Sequence, residues 1–472
     1  MRQPAERIFS SETLVKPVSA LTSGSIPRTL FTFALPILLG NVLQSINGSI
    51  NSIWIGKFLG AAALTGANNS NIVIFLLIGA VFGISMASTI LIAQNVGASN
   101  MGEAKRVTGT SATFFFGLSM IFSIGGFFAA PFILGWMGTP ADATPYGVAY
   151  LRVMFVSLPV SYAFFFINGT LRGAGDSRTP FRFLVMSVVL DIVLNPLFIF
   201  GLGPIPAMGI AGSAFATLVA QTLSAGALLA FVYWRRHPLT IRSAETHLLQ
   251  VDPEILRSLI VKGIPMGLQM IVLSSSMVLF LRVVNRFGSD TAAAFAADMQ
   301  LWAYIQMPAL ALGAAVSSMA AQNIGAGQWQ RVSDIARHGL LFNFLLSGLP
   351  VFLIYMVETQ AVGLFLPPNS PAIEIAVRMN HIILWSYPLF GISTVLSGAV
   401  RATGAVMMPL AVLVVAMLGV RQPLAEYGWA HWGADGVWWS FSISAIVAAI
   451  LSSAYYLGGS WRSATMRVGV ST

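Results

Sequence analysis

The sequence predicts an all-α, polytopic membrane protein of about twelve transmembrane helices arranged as two pseudo-symmetric six-helix halves. Three observations predict it. The chain is 56% hydrophobic and 9% charged with a mean hydropathy of +0.79, against roughly 25% charged in soluble domains. Its apolar runs reach about 20 residues or more, helix length rather than the shorter alternating strands of a membrane barrel. Short motifs in the first half return in the same order in the second, as in transporters built from repeats.

The spans expected on length and hydropathy lie near 29–56, 61–94, 109–136, 144–171, 179–201, 209–234, 256–287, 291–321, 335–366, 371–400, 405–424 and 433–459. They imply a cytoplasmic N-terminal segment 1–28, a six-helix lobe 29–234, a cytoplasmic linker 235–255, a second lobe 256–460 and a cytoplasmic tail 461–472. The first apolar run is longer than a signal-peptide core and lacks a clear cleavage site, so it reads as a membrane helix. With the N-terminus inside, 19 of the 25 Lys and Arg fall on the inner side, including Lys105, Arg106, Arg172, Arg178, Arg235, Arg236, Arg331 and Arg401. That asymmetry predicts both termini cytoplasmic. It accounts for the formal charge of +9 without nucleic acid.

The duplication runs at a spacing of roughly 229 residues, the spacing of transporter repeats being fixed by one six-helix unit. Pro36 pairs with Pro265, Ala93-Gln-Asn-Val-Gly-Ala98 with Ala321-Gln-Asn-Ile-Gly-Ala326, and Pro159 with Pro388. Arg172-Gly-Ala-Gly175 answers Arg401-Ala-Thr-Gly404, Pro180 answers Pro409, and Gly209-Ile-Ala-Gly212 answers Gly433-Ala-Asp-Gly436. Six spans per copy give both copies one orientation and place a cavity between them. The AQNxGA phrases close a span, and their Gly and amide groups suit a tight turn.

The main candidate for chemistry is Asp191, in the apolar run Leu184–Phe200. A carboxylate at mid-membrane is costly and persists only where it faces protein or water. Asn195 lies one turn on, on the same face, and Pro196 frees a backbone carbonyl. The set suits a proton or Na⁺ site; the alternative is a neutral Asp bonding a neighbouring helix. Asn41, Gln44, Asn47 and Asn51 form a polar stripe on the first span, either a cavity wall or helix–helix bonding. Asn68, Asn69 and Asn71 open the second. Asp298 lies about 12 Å into the eighth span at 1.5 Å per residue, level with Arg282, and the two are expected to pair as a clamp or as a gating pair. Arg152 and His381 occupy equivalent outer positions, Trp54 and Trp438-Trp439 fit interfacial belts, and Glu358 and Glu426 read as solvated. Phe114–Phe116 and Phe164–Phe166 read as lipid-facing or packing groups.

There is no cysteine, His-Glu zinc helix, nucleophile elbow or P-loop. No enzyme, cofactor or ATP-driven pump is therefore expected.

The Pro36–Gly56 segment, both AQNxGA phrases, Leu171-Arg-Gly-Ala-Gly-Asp176 with Pro180, and Asp191–Gly201 together resemble the multidrug and toxic compound extrusion (MATE) family, from about Leu30 to Tyr456. The resemblance implies two lobes in a V around a central cavity. It also implies antiport of organic, often cationic, compounds against H⁺ or Na⁺; the chain is expected to work in the cell inner membrane as a monomer. Many members carry an Asp where this chain has Asn51, and Asn then Asp where it has Asp191 then Asn195. A second branch uses acids in the seventh and tenth spans, where this chain has Ser274–Ser276 and a Glu374 too near the span's start. Asp191, assisted by Asn195 and Asn51, is thereby left as the ion-coupling candidate, with Asn41, Gln44, Asn47, Asn68, Asp298 and Arg282 as cavity-lining groups. Related folds include flippases for lipid-linked precursors, the alternative reading.

Overall fold

The computed structural model describes residues 21–466 apart from 202, 204, 205, 368 and 369. The expected segments 1–28 and 461–472 fall partly outside these, as do Arg2, Arg7, Lys16 and Arg467. Every regular element among the described residues is helical.

The first element, α1 (Ile26–Gly97), holds two expected spans in 72 residues. At 1.5 Å per residue it would measure roughly 108 Å, over three times the ~30 Å hydrocarbon core. It breaks at Gly60, whose φ of 87° and ψ of 177° are non-helical. A φ of that sign is open to glycine and strained for residues with a Cβ. Four spans complete the first half: α2 (Met101–Trp136), α3 (Thr144–Gly173), α4 (Arg178–Phe200) and α5 (Ile210–Trp234).

The second half starts with α6 (Pro253–Val284), α7 (Ser289–Gly325) and α8 (Trp329–Met356), with a short α9 (Glu358–Gly363) completing the ninth stretch. The tenth span is divided into α10 (Pro371–Ile383) and α11 (Tyr387–Arg401) by a 3₁₀ turn at Leu384–Ser386. Pro388 lacks the N–H the ladder needs, and its ring crowds the preceding turn. The eleventh runs through α12 (Met407–Leu413), a π-helical stretch Val414–Arg421 and α13 (Gln422–His431); α14 (Gly433–Gly458) is the twelfth. Large apolar groups such as Ile121, Phe128, Phe132 and Leu345 are exposed on outer faces, an arrangement that suits lipid rather than water.

The packing explains how the halves join. The clusters that mix the halves lie near the membrane face carrying the termini. One joins Leu30, Phe33 and Ile37 to Leu312, Met319 and Val395. Another joins Ile90 and Val96 to Leu259, Ala321 and Val400. Toward the opposite face each half has its own core: Leu134, Leu151 and Phe155 in the first, Phe280, Phe295 and Trp302 in the second. Two bodies joined at one end and separately cored at the other make a V.

The stretch 235–255 is tied to α2. Lys105 Nζ donates to Glu245 Oε1 at 2.6 Å, Arg106 pairs with Asp252, and Thr113 Oγ1 donates to the Leu249 carbonyl at 2.7 Å. Several expectations change. Trp438 is buried against Phe280 and Phe295 and is no belt residue, whereas its neighbour Trp439 is exposed. Glu426 is exposed as expected and pairs with Arg286 at 2.6 Å, whereas Glu358 is half-buried and pairs with His381 at 3.2 Å. Phe115, Phe164 and Phe166 pack inward while Phe116 faces out.

Candidate functional site: a carboxylate node in the first lobe

One helical turn separates Asn47 from Asn51 on α1, and another separates Asp191 from Asn195 on α4. Facing helices can therefore zip these four together. Asn47 Nδ2 donates to Asp191 Oδ2 at 2.8 Å and Asn51 Nδ2 donates to the same oxygen at 2.9 Å. Thr217 Oγ1, from α5, donates to Asp191 Oδ1 at 2.9 Å. Asn195 Nδ2 donates to Asn51 Oδ1 at 2.9 Å. Asp191 is 2% exposed and Asn195 fully buried.

All three donors to the carboxylate are neutral, and no Lys or Arg bonds it among the described residues. Asn47 Oδ1 and Asn195 Oδ1 are buried without a hydrogen-bond partner. The node thus combines one anionic group with two unsatisfied acceptors and lacks a fixed positive charge. Such a set suits a small monovalent cation or a proton, since unpaired buried acceptors each cost roughly 1–3 kcal/mol. Pro196 has no N–H to return to the Ile192 carbonyl, which loosens the helix beside the site.

The expected trio Asp191, Asn195 and Asn51 is therefore one cluster, and Asn47 belongs with it. Thr217 went unread in the sequence, although it and Ser213 form a hydroxyl pair four residues apart on an apolar helix. Gln44 and Asn68 are exposed and Asn41 half-buried; none makes a hydrogen bond among the described residues.

The expected Asp298–Arg282 pair is not formed. Asp298 is fully buried and its Oδ1 accepts from Asn380 Nδ2 at 2.7 Å, while Trp302 Nε1 donates to Asn380 Oδ1 at 2.9 Å. Arg282 is exposed, because Phe280, Val283 and Val284 turn the opposite face of α6 into the core. Equal depth did not mean equal azimuth. Among the described residues the buried cation of this lobe is Arg421, whose guanidinium lies 3.8 Å from the Phe441 ring centroid and whose Nε donates to Ser444 Oγ at 2.9 Å.

The AQNxGA phrases close α1 and α7 and run into tight turns, where Asn100 N–H donates to the Asn95 carbonyl and Gln328 N–H to the Asn323 carbonyl, and they do more. They are the crossing ends of α1 and α7. Gln94 Nε2 donates to the Ala402 carbonyl at 2.7 Å, and Gln322 Nε2 donates to the Gly173 carbonyl at 2.7 Å. Each glutamine of one half thus bonds the RxxG phrase of the other. The backbones touch here: a Cβ on Gly97 would lie 1.9 Å from the Gln322 oxygen, and one on Gly325 1.9 Å from the Gln94 oxygen.

The family model MatE matches the chain twice, over residues 36–197 and 265–425, in register with the paired prolines. The chain is 36% identical over 435 residues to the probable multidrug resistance protein YoeA of Bacillus subtilis (strain 168), covering 92% of this chain and 94% of that protein. It is 31% identical over 443 residues to the probable multidrug resistance protein YpnP of the same strain, covering 94% and 97%. Its fold matches the structure of a MOP superfamily transporter from Pyrococcus furiosus with a TM-score of 0.85 at 21% identity, covering 94% and 98%. With two copies of the family's unit and twelve spans among the described residues, the chain belongs to the MATE family and is a transporter, not an enzyme.

Proposed function

We propose that this transporter exports organic compounds, which the family resemblance implies are often but not always cationic, in exchange for H⁺ or Na⁺ by alternating access across the inner membrane, both termini being cytoplasmic. Asp191 is the coupling group. The observation that carries the reading is a buried carboxylate bonded by three neutral donors from two other helices and by no cation. Placing an Asp at mid-membrane costs about 2.5–3.5 kcal/mol on insertion scales, and no fixed positive charge in the node offsets that. A mobile cation does. Protonation gives Asp191 a hydrogen to donate, received either by a flipped Asn47 amide or by the Thr217 hydroxyl as it turns its own hydrogen to the Ser213 carbonyl. Sodium would take the same oxygens as ligands. Either event rewrites the bonds joining α1, α4 and α5.

The reciprocal glutamine bonds hold the terminus-bearing face closed, and inward opening requires both to break. An ion moves this equilibrium only through unequal affinity for the two states. Gln44 and Asn68, exposed on α1, and the half-buried Asn41 belong to the wet route from the opposite face.

The test is gradient-driven dye transport in proteoliposomes with imposed pH or Na⁺ gradients. Asp191→Asn should insert normally and lose gradient-driven transport. Undiminished transport by that variant would remove Asp191 from the mechanism.

A further inference from the structure

A small cleft, partly open at its mouth, lies between the halves. Phe82, Met86 and Phe165 supply apolar wall, and Ser85, Thr89, Ser317 and Ser318 supply hydroxyls. Arg172 is the one charged side chain on its lining. The guanidinium of Arg172 makes no hydrogen bond or ion pair among the described residues. The Ser317 hydroxyl is buried without a partner. Arg401, its counterpart in the other half, instead donates to Gln269 Oε1 at 2.8 Å. The repeat thus holds two equivalent arginines, one engaged and one free at the cleft.

We infer that Arg172, with the hydroxyls of Ser317 and Ser318, seats the anionic group of a transported amphiphile, a phosphate or carboxylate on an aromatic or apolar body. The inference rests on the export reading above and names its substrate class. A guanidinium fork matches an oxyanion bidentately, and the cleft holds no acidic group to neutralise it. The apolar walls accept the body, as in most small-molecule sites. The seat also touches the latch. Ile90 lies one turn from Gln94, Ser318 lies one turn from Gln322, and Arg172 precedes the Gly173 carbonyl that Gln322 bonds. Occupancy therefore bears on the contact that closes the terminus-bearing face. A purely structural use exists too: Arg172 stands in the last turn of α3, where positive charge favours the helix end.

Equilibrium binding to the purified full chain separates the two. The probes are 1-naphthyl phosphate, 1-naphthylmethylammonium and neutral 1-naphthalenemethanol at low ionic strength. The phosphate probe should bind about tenfold more tightly than either of the others, and Arg172→Gln should remove about tenfold of its affinity while leaving the ammonium probe unchanged. Arg172→Lys, which keeps charge but not the fork, should lose less. Tighter binding of the ammonium probe, or an indifferent Arg172→Gln, overturns the inference. Should Arg172→Gln not fold, Ser318→Asp adds a carboxylate to the lining that Arg172 shares and should abolish the preference; a retained preference overturns it equally. Repeating the titration in phosphatidylcholine nanodiscs with and without phosphatidic acid identifies the source. Arg172-dependent competition by phosphatidic acid marks a lipid headgroup and its absence a soluble anion, and both support the seat. The seat is read from the phosphate-over-ammonium preference and its dependence on Arg172 at equilibrium, whereas the coupling reading is read from gradient-driven transport by Asp191→Asn. Failure of the coupling reading and failure of the seat are thereby distinguishable.

Discussion

Substituting Gly97 with alanine tests the closed latch most sharply. The added Cβ would sit 1.9 Å from the Gln322 carbonyl oxygen and 2.6 Å from its carbon. The obstacle is backbone, so no rotamer change relieves it, and the two helix ends must separate by more than 1 Å to reach ordinary contact near ~3.5 Å. Separation breaks the flanking Gln94 and Gln322 bonds, each worth about 1 kcal/mol net. A loss of about 2 kcal/mol moves the closed-to-open ratio roughly thirtyfold, since 1.4 kcal/mol is a factor of ten. The chain has no native cysteine, so a single reporter needs no background removal. With Ser318→Cys as reporter, an impermeant maleimide applied at the terminus-bearing face should label the Gly97→Ala protein at least tenfold faster than its parent. Equal labelling rates would refute both the latch and its role as a gate. Gly325→Ala should match it, because its Cβ meets the Gln94 oxygen at the same 1.9 Å.

Further outcomes follow from the packing. Asp298→Ala leaves the buried Asn380 amide without its acceptor and should destabilise the second lobe by about 1–3 kcal/mol, read as a lowered melting temperature by tryptophan fluorescence. Arg421→Ala removes a desolvated cation–π contact with Phe441 and should cost about 2 kcal/mol in the same assay. The linker clasp is pH-dependent in a defined direction. Hydrogen bonding from Lys105, and then from the Arg242 backbone, holds Glu245 below its ordinary 4.5. At Asp252 burial pushes upward but is outweighed by the Ile255 and Glu254 N–H groups and by Arg106, leaving it below 3.8. Depressed carboxylates contribute stability above their unfolded values and lose it as pH falls through the folded ones. The melting temperature gap between wild type and Asp252→Asn should therefore be constant from pH 5 to 8 and close below about pH 4.

Much of the architecture was readable because membrane helices are constrained one at a time. Length and hydropathy mark a span without knowledge of its neighbours, and the paired motifs mark the repeat. The Gly60 break was readable as a boundary, though not as a continuous helical run that bends on one residue. Asp191 and Asn195 announced themselves by their spacing, as did the amide stripe holding Asn47 and Asn51. Thr217 did not, because one hydroxyl on an apolar helix commonly bonds its own backbone, and only packing aims it at Asp191. Pairing Asp298 with Arg282 failed for a related reason. Depth follows from residue count, but the face a helix turns to its neighbour depends on tertiary packing. The duplicated glutamines were visible, whereas their reciprocal use across the two halves is a property of the assembled V.

The most direct test of the coupling claim counts ions released when substrate binds. Purified protein in weakly buffered detergent, with a pH dye in sodium-free solution or with radioactive sodium at fixed pH, is titrated with a transported dye. Wild type should release about one ion per dye bound, and Asp191→Asn should bind dye and release none. Release from Asp191→Asn equal to that from wild type would contradict the assignment of coupling to this carboxylate.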